Sequence, residues 1–432
     1  MKVAFYTLGC KVNQYETETL KGIFESKGHE VVSESDFADV YIINTCTVTS
    51  LADRKSRQHI RRAKKINPDG IVAVTGCYAQ VSPSEAAEVE GVDIVVGNED
   101  KMAIITYVEQ FLGLQSDGIF QESGIAKQES KTRAFIKVQD GCNRFCSYCI
   151  IPYARGELKS RNLEEILNEA KVLINSGFKE VVLTGINTAL YGTEESFFGD
   201  YDIEKVVAEL NSLDGDFRIR LGSLEPTVIN AKYVEKLFKY DKLCHHIHLS
   251  LQSGSDKVLS DMNRNYTRDE YLEIVQTLKD FDANYGITTD IIVGFPKETY
   301  AEFEESLKLV EKVEFCKIHV FKYSNRKGTA ASEIRTQVEA GEKSKRSDLL
   351  IKAGDLSSQR FFNNNIGSQR RVLIEEYVKS IDSYTGFTDN YIKVYIKASQ
   401  GSLRNDEVRI NEFVNVELTA LYKDGMLGQV VS

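Results

Sequence analysis

Short apolar runs alternate with amphipathic stretches through the N-terminal quarter of the chain. Val3–Leu8, Val40–Asn44, Ile71–Val74 and Ile94–Val96 read as strands, and Asn13–Lys27, Leu51–Lys65, Ser84–Glu90 and Lys101–Leu114 carry helical spacing. Strands separated by helices at this spacing predict a parallel sheet with helices on its faces, a Rossmann-like arrangement. Gln115–Thr132 is polar and aperiodic and reads as a linker. The alternation then restarts. Strands are expected at Ala134–Val138, Glu180–Leu183, Arg218–Leu221, His246–Leu251, Thr289–Val293 and Lys317–Phe321. Helices are expected at Asn162–Ser176, Ile203–Ser212, Val228–Tyr240, Arg268–Phe281, Tyr300–Val313 and Ala340–Gln359. Such a run of βα units predicts a (β/α) barrel, complete or partial, and excludes a Greek-key sandwich. After Asn363–Asn365 the period changes. Arg371–Ile374, Tyr391–Lys397, Glu407–Ile410 and Phe413–Leu418 alternate apolar and polar residues between Gly-containing turns, which predicts a small antiparallel β-barrel. The fold class is therefore α/β with a β tail.

Composition narrows the class. A chain of 432 residues with 42% apolar and 27% charged positions is long enough to bury several cores without cross-links. No apolar run approaches the ~18 residues that span a bilayer. The start of the chain, Met1-Lys2-Val3-Ala4-Phe5-Tyr6, shows no signal-peptide pattern. A cytoplasmic protein without a membrane partner is expected. In a reducing compartment the 8 cysteines point to metal or catalysis before disulfides.

The cysteines fall into groups. Cys142, Cys146 and Cys149 lie in C-N-R-F-C-S-Y-C, a Cx3Cx2C spacing. Three closely spaced thiolates can hold three irons of a cubane cluster and leave the fourth open. An open iron can chelate the amino and carboxylate groups of S-adenosylmethionine, whose reductive cleavage yields a 5′-deoxyadenosyl radical. A zinc site completed by a distant histidine is the alternative, although zinc sites usually pair CxxC elements and no second pair is present. Cys10, Cys46 and Cys77 are remote in sequence, yet each comes just past a predicted strand. In a parallel sheet all three lie at the carboxyl edge, where such folds bind ligands; buried strand-end cysteines are the alternative. The run Cys244-His245-His246-Ile247-His248 has metal-ligand residue types, but on a strand its side chains alternate faces and only some converge. Cys244 and Cys316 are expected in the barrel wall.

Together these motifs resemble the methylthiotransferase family of radical S-adenosylmethionine enzymes. The resemblance rests on Thr7-Leu8-Gly9-Cys10-Lys11-Val12-Asn13-Gln14-Tyr15-Glu16, Asn44-Thr45-Cys46-Thr47-Val48 and Thr75-Gly76-Cys77-Tyr78-Ala79-Gln80. It continues through Gly141–Cys149, Ile151-Pro152-Tyr153-Ala154-Arg155-Gly156, Ser160-Arg161, His248–Ser255 and Asp290-Ile291-Ile292-Val293-Gly294-Phe295-Pro296. Gly386-Phe387-Thr388-Asp389-Asn390-Tyr391 resembles the TRAM domain, an RNA-binding β-barrel. Lys297 stands where the family commonly has Gly, and Ser250 and Lys322 where it commonly has Pro. The resemblance implies an N-terminal methylthiotransferase domain at 1–125, a radical core of partial TIM-barrel type at 126–366 and a TRAM domain at 367–432.

It also implies two 4Fe–4S clusters, held by Cys142, Cys146 and Cys149 and by Cys10, Cys46 and Cys77, with S-adenosylmethionine as methyl donor and radical source. Tyr148, Gly185, Asn187, Ser223, Glu225 and Gln252 are candidate contacts to that cofactor. Leu8-Gly9-Cys10-Lys11-Val12-Asn13 is similar to the branch acting on threonylcarbamoyladenosine in tRNA. Isopentenyladenosine or a ribosomal-protein side chain are alternative substrates. A protein of another class, an iron–sulfur redox or electron-transfer carrier, is the rival reading. The enzyme reading implies an external electron donor, a sulfur source and a monomer.

Charge bears on the RNA. The formal net charge is −10, and residues 367–432 carry nearly equal numbers of cations and anions. Positive charge must then be local. Arg54, Arg57, Arg61, Arg62 and Lys65 crowd one predicted helix after Cys46 and are the candidate phosphate contacts, with a merely solvated helix face as the alternative.

Overall fold

The computed structural model describes residues 1–114, 132–197, 199, 201–398 and 408–431. It divides into two compact units, one of Met1–Glu129, Phe135–Glu169 and Ser324–Glu333, the other of Ser130–Ala134, Ala170–Tyr323 and Ile334–Ser432.

The first unit is built on β1 (Lys2–Thr7), β2 (Glu30–Val32), β3 (Val40–Thr45), β4 (Ile71–Gly76) and β5 (Ile94–Val95), hydrogen-bonded in the order β2-β1-β3-β4-β5. All four pairings are parallel. The unbroken apolar runs follow from burial on both faces. Val3, Phe5, Val40, Ile42, Ile71 and Ala73 form one core with Leu20 and Phe24 of α1 (Lys11–Ser26). The alternate residues Ala4, Tyr41, Ile43, Val72 and Val74 form the other with Ile60 and Ala63 of α2 (Ser50–Ile66). Three shorter helices follow: α3 (Cys77–Val81), α4 (Pro83–Ala87) and α5 (Ile104–Phe111). The helix expected from Lys101 starts as a single 3₁₀ turn, Lys101–Ala103. β2 is an addition to the sequence reading: three residues in a polar context give too little alternation to register. The expected linker lies outside the described residues apart from Thr132.

Beyond it come β6 (Arg133–Lys137), the small antiparallel pair β7 (Gln139–Asp140) and β8 (Lys159–Ser160), and between them α6 (Ile151–Arg155). The helix α7 (Leu163–Asn175) leads to β9 (Glu180–Thr184), which pairs in parallel with β10 (Arg218–Leu221). A second parallel sheet runs β11 (Ser223–Leu224), β12 (His246–Leu249), β13 (Gly286–Val293) and β14 (Lys317–Lys322). The intervening helices are α8 (Ile203–Asn211), α9 (Ala231–Leu237), α10 (Asp256–Asp261), α11 (Arg268–Phe281), α12 (Tyr300–Val313) and α13 (Ala340–Asn364). Thr267 and Thr299 close capping boxes with Glu270 and Glu302, which fixes where α11 and α12 begin. α9 is shorter than expected, and α10 was hidden by its polar composition. Lys297 takes the left-handed backbone, φ 66°, that explains the family's preference for Gly there.

The C-terminal segment closes a barrel of β15 (Gln369–Val378), β16 (Ser383–Thr388), β17 (Lys393–Lys397), β18 (Phe413–Tyr422) and β19 (Gly425–Val430), in the order β15-β16-β17-β19-β18. Its pairs are antiparallel except β17 with β19. The strand expected at Glu407–Ile410 is not one: Glu407 lies outside the described residues, and Val408–Ile410 forms no strand. Cys316 N donates to Ile287 O of β13 at 2.9 Å, so its backbone belongs to the β/α wall, while its side chain is buried in the small barrel's core with Phe361, Val372 and Val394. Arg220 on β10 donates to the carbonyls of Thr388 and Asp389, and Arg218 to that of Phe387. The Gly386–Tyr391 motif is thus the piece by which the small barrel docks on the parallel strands. Buried Glu180 lies 2.6 Å from Arg218 Nε, 2.9 Å from Arg220 Nε and 3.3 Å from Arg133 Nε.

Candidate active site

Sheet register assembles the first cysteine triad. Thr7 pairs with Asn44 and Asn44 with Thr75, so β1, β3 and β4 end flush and Cys10, Cys46 and Cys77 emerge from adjacent strand ends. Two glycines permit the close approach. A Cβ on Gly9 would stand 3.0 Å from Cys46 Cβ and 3.3 Å from its sulfur. A Cβ on Gly76, φ +96°, would collide with the Thr45 carbonyl and lie 2.7 Å from Asn44 Oδ1. Asn13 ties two of the loops together, its Nδ2 donating to Leu8 O at 2.7 Å and Thr45 O at 3.0 Å. Burial pushes the Cys46 thiol up to about 11, and the neighbouring Cys77 and Cys10 add to the rise. Cys10, although its residue is exposed, is raised by desolvation of its sulfur, with Arg155 pulling the other way. Three sulfurs at adjacent strand ends are a donor set that a metal centre can bind as thiolates, with the protons released to solvent.

The second triad is local. Gly141, φ +68°, has no room for a side chain because a Cβ would strike the Glu157 carbonyl. Cys142 N donates to Gly156 O at 3.4 Å and Cys149 N to Cys146 O at 2.9 Å, which curls the loop, and Phe145 crosses the left-handed region at φ 47°. Phe145 and Tyr153 are both exposed and meet edge to face at 6.2 Å between ring centres. Tyr148 is half-buried in the same loop.

Within the first unit the two triads are linked through α6. Asn98 Nδ2 reaches the Cys77 sulfur at 3.7 Å and donates to Ala154 O at 2.6 Å. Arg155, six positions after Cys149, extends from α6 to Glu16 on α1 at 2.5 Å, to Asp140 at 3.2 Å, and to Asn13 Oδ1. Glu16 also pairs with Lys101 at 2.5 Å and with Lys137 at 3.7 Å. Burial alone would raise Glu16, but Arg155, Lys101 and Lys137 outweigh it and hold the carboxyl well below the usual range. Arg155 stays charged beside Cys77 and Cys10. Sequence reasoning missed this network; its only signal was acidic Glu16 and basic Arg155 within the two cysteine-flanking motifs.

The other candidate contacts belong to the second unit, where Asn187 and Glu225 are directly paired. Asn187 Nδ2 donates to Glu225 Oε2 at 2.7 Å, and Arg264, unforeseen in the sequence, meets Glu225 Oε1 at 3.1 Å. The Ser223 carbonyl accepts from Thr188 Oγ1 at 2.9 Å. Gly185 opens the loop leaving β9 and is half-buried. Gln252 holds a left-handed φ of 66° and bridges β13 through Asp290 O and Ile292 N at 2.8 and 2.9 Å.

On α2, Arg54, Arg61, Arg62 and Lys65 are exposed, with Arg62 4.0 Å from Glu34. Arg57 turns inward and sits over the Tyr78 ring at 5.9 Å, next to Cys77. Asp53, the helix's sole acid, is held by Arg326 at 2.7 Å. The exposed face is therefore cationic.

A triad of sulfurs in a loop closed by Gly141 matches the donor set of a three-cysteine 4Fe–4S cluster. The Radical SAM superfamily model matches residues 136–310, and that of Uncharacterized protein family UPF0004 matches residues 2–97. The structure of the radical S-adenosylmethionine methyltransferase TsrM from Kitasatospora setae, with cobalamin and a 4Fe–4S cluster bound, superposes with a TM-score of 0.58 over 77% of each chain at 14% identity. Fold and family model define a radical S-adenosylmethionine enzyme, for which that cofactor and a 4Fe–4S cluster are implied. The threonylcarbamoyladenosine tRNA methylthiotransferase MtaB of Bacillus subtilis (strain 168) is 39% identical over 99% of this chain and 97% of its own. The tRNA-2-methylthio-N(6)-dimethylallyladenosine synthase of Alkaliphilus oremlandii (strain OhILAs) is 34% identical over 100% and 93%. The chain belongs to the radical S-adenosylmethionine methylthiotransferase family. Among the described residues, no helix is long and apolar enough to cross a membrane.

Proposed function

We propose that this enzyme methylthiolates C2 of threonylcarbamoyladenosine beside the anticodon of tRNA. The supporting observation is the joining of Cys10, Cys46 and Cys77 to the Cx3Cx2C loop within one compact unit, in a chain 39% identical to a relative of that name. Cys142, Cys146 and Cys149 hold the radical-generating cluster, and Cys10, Cys46 and Cys77 hold a second. When bound, these clusters and S-adenosylmethionine supply the radical, the sulfur and the methyl group, chemistry that an unactivated aromatic C–H demands.

The chain's own residues do the positioning. Arg155 places a fixed positive charge beside Cys10 and Cys77 and offsets the negative charge of a thiolate-bound cluster. Glu16 keeps Arg155 in place. Tyr148, Gly185, Asn187, Ser223, Glu225 and Gln252 are the proposed cofactor contacts, with Arg264 fixing the Glu225 carboxylate. Arg54, Arg61, Arg62 and Lys65 contact RNA phosphates, and the anticodon-loop base is splayed into the site. The functional domains are 1–125, 126–366 and 367–432. An external electron donor and a sulfur source complete the reaction, and the enzyme works as a cytoplasmic monomer.

Nucleoside mass spectrometry of tRNA from cells with and without the gene tests this. Loss of the methylthio-threonylcarbamoyladenosine peak is expected. Its survival in a strain lacking any redundant enzyme refutes the reading, and loss of methylthio-isopentenyladenosine instead transfers it to the substrate class in the name of the 34% identical relative.

A further inference from the structure

Three adjacent strands of the second unit bring their side chains to one point. His248 lies on β12, Asp290 on β13 and His319 on β14. In the parallel register His248 stands opposite Thr288, and Asp290 opposite His319. Thr288 and Asp290 are two residues apart and share a face, so both histidines point to that face as well. It is the face turned from α13, because Ile318, one residue before His319, is the side chain that meets Gly354 of that helix. One nitrogen or oxygen from each of the three lies within 4.8 Å of the other two. His248 Nε2 is 3.3 Å from Asp290 Oδ2, and the two imidazole rings are 6.1 Å apart.

Along the Cys244–His248 run the side chains alternate, so His245 leaves the face that His246 and His248 share, where both meet Thr288 Oγ1, at 3.2 and 2.9 Å. Buried Cys244 lies beside Arg220. His245 bonds Asp282 at 2.8 Å, and His246 stacks on Tyr391 at 4.5 Å. His248 alone goes to the cluster, and its partners arrive from two later strands that the sequence run does not include.

We propose that His248, Asp290 and His319 form a binding site for one divalent transition-metal ion. Two imidazoles and a carboxylate on one face are the donor set that suits Fe²⁺ or Mn²⁺ and leaves further positions open. His319 brings a second imidazole within 4.8 Å of the same carboxylate, which completes a set of three donors from three adjacent strands. Thr288 Oγ1 lies 2.9 Å from His248 Nδ1, which orients the ring and leaves Nε2 facing Asp290, as an outer-shell partner does for a ligating histidine. Adjacent ligands on one ion at these bond lengths are about 3 Å apart, so the His248–Asp290 pair is already spaced for it and His319 needs only a side-chain rotation. His319 is exposed, so the site opens to solvent.

The test uses the full-length protein, reconstituted anaerobically with iron and sulfide and then desalted. Mn²⁺ is titrated to millimolar concentration while free Mn²⁺ is read from its EPR signal. Mn²⁺ is chosen because thiolates compete poorly for it. Saturable binding of about one ion per chain is expected. His319→Ala and Asp290→Asn should weaken it more than about tenfold and Thr288→Val about tenfold, with iron content unchanged. His319→Ala removes an exposed side chain and carries the test if Asp290→Asn disturbs folding. The absence of saturable binding, or binding that His319→Ala leaves within about twofold of wild type, overturns the proposal.

Discussion

The two cysteine triads reach similar donor sets by opposite routes. Cys142, Cys146 and Cys149 are written into a single loop, and their geometry depends on Gly141 and a few local hydrogen bonds. Cys10, Cys46 and Cys77 are delivered by three strands, and their convergence depends on sheet register, on two glycines and on Asn13. The local triad is robust to change elsewhere. The distributed one inherits every perturbation of the sheet, and a slip of one residue would scatter its thiols.

The largest effect should separate the two by function. Cys146→Ala is expected to abolish both the methylthio product and the formation of 5′-deoxyadenosine, whereas Cys46→Ala abolishes the product and keeps 5′-deoxyadenosine formation. Chromatography of anaerobic reaction mixtures reads both. Equal loss of 5′-deoxyadenosine in the two variants would erase the distinction.

Next comes Glu16, on which the bridge between the triads turns. Glu16→Gln leaves Arg155, Lys101 and Lys137 buried without their anion and should cost about 3–5 kcal/mol in urea unfolding. The same carboxylate predicts the response to acid. Burial opposes its charge, but the surrounding cations win and its folded pKa lies below the unfolded value of about 4.3. Its stabilisation is therefore fully present above that value and lost as pH falls through the folded pKa. Glu180, held down by Arg220, Arg218 and Arg133 against burial, behaves alike. Stability should fall steeply below about pH 4, and Glu180→Gln should flatten the slope; an unchanged slope would dissociate this group from acid unfolding.

A smaller effect tests the glycines. Gly76→Ala forces a side chain into the Thr45 backbone at φ +96° and should cost about 1–3 kcal/mol, together with iron from the distributed triad. Gly113, φ +69°, has open space around it, so Gly113→Ala should cost about 1 kcal/mol and leave iron content alone. Similar iron loss in both would mean that backbone strain, not the approach to Thr45, governs the site.

The smallest effect concerns RNA. Arg61→Glu with Arg62→Glu should weaken tRNA binding about tenfold in a filter or fluorescence assay without changing iron content. Unchanged affinity would move the RNA elsewhere.

The contrast between local and distributed also explains what could be read from the sequence. The doubly buried strands of the first unit announce themselves as apolar runs, and the Cx3Cx2C loop is visible in a single line. The strand-end positions of Cys10, Cys46 and Cys77 were inferable because each strand was. Partners that meet only through tertiary structure were not: Glu16 and Arg155 are 139 positions apart. Gly386 on β16 and Gly425 and Gly428 on β19 interrupt the apolar alternation, and both strands were missed. Arg57 belongs to a visibly basic helix, but only packing shows that it turns toward Tyr78.

The most direct test is iron and acid-labile sulfide in the anaerobically reconstituted protein and in the variant carrying Cys10→Ala, Cys46→Ala and Cys77→Ala. The account predicts about eight irons per chain in the first and about four in the second, with reductive cleavage of S-adenosylmethionine retained. About four in both would mean that the distributed triad holds no cluster, and the central claim would fall.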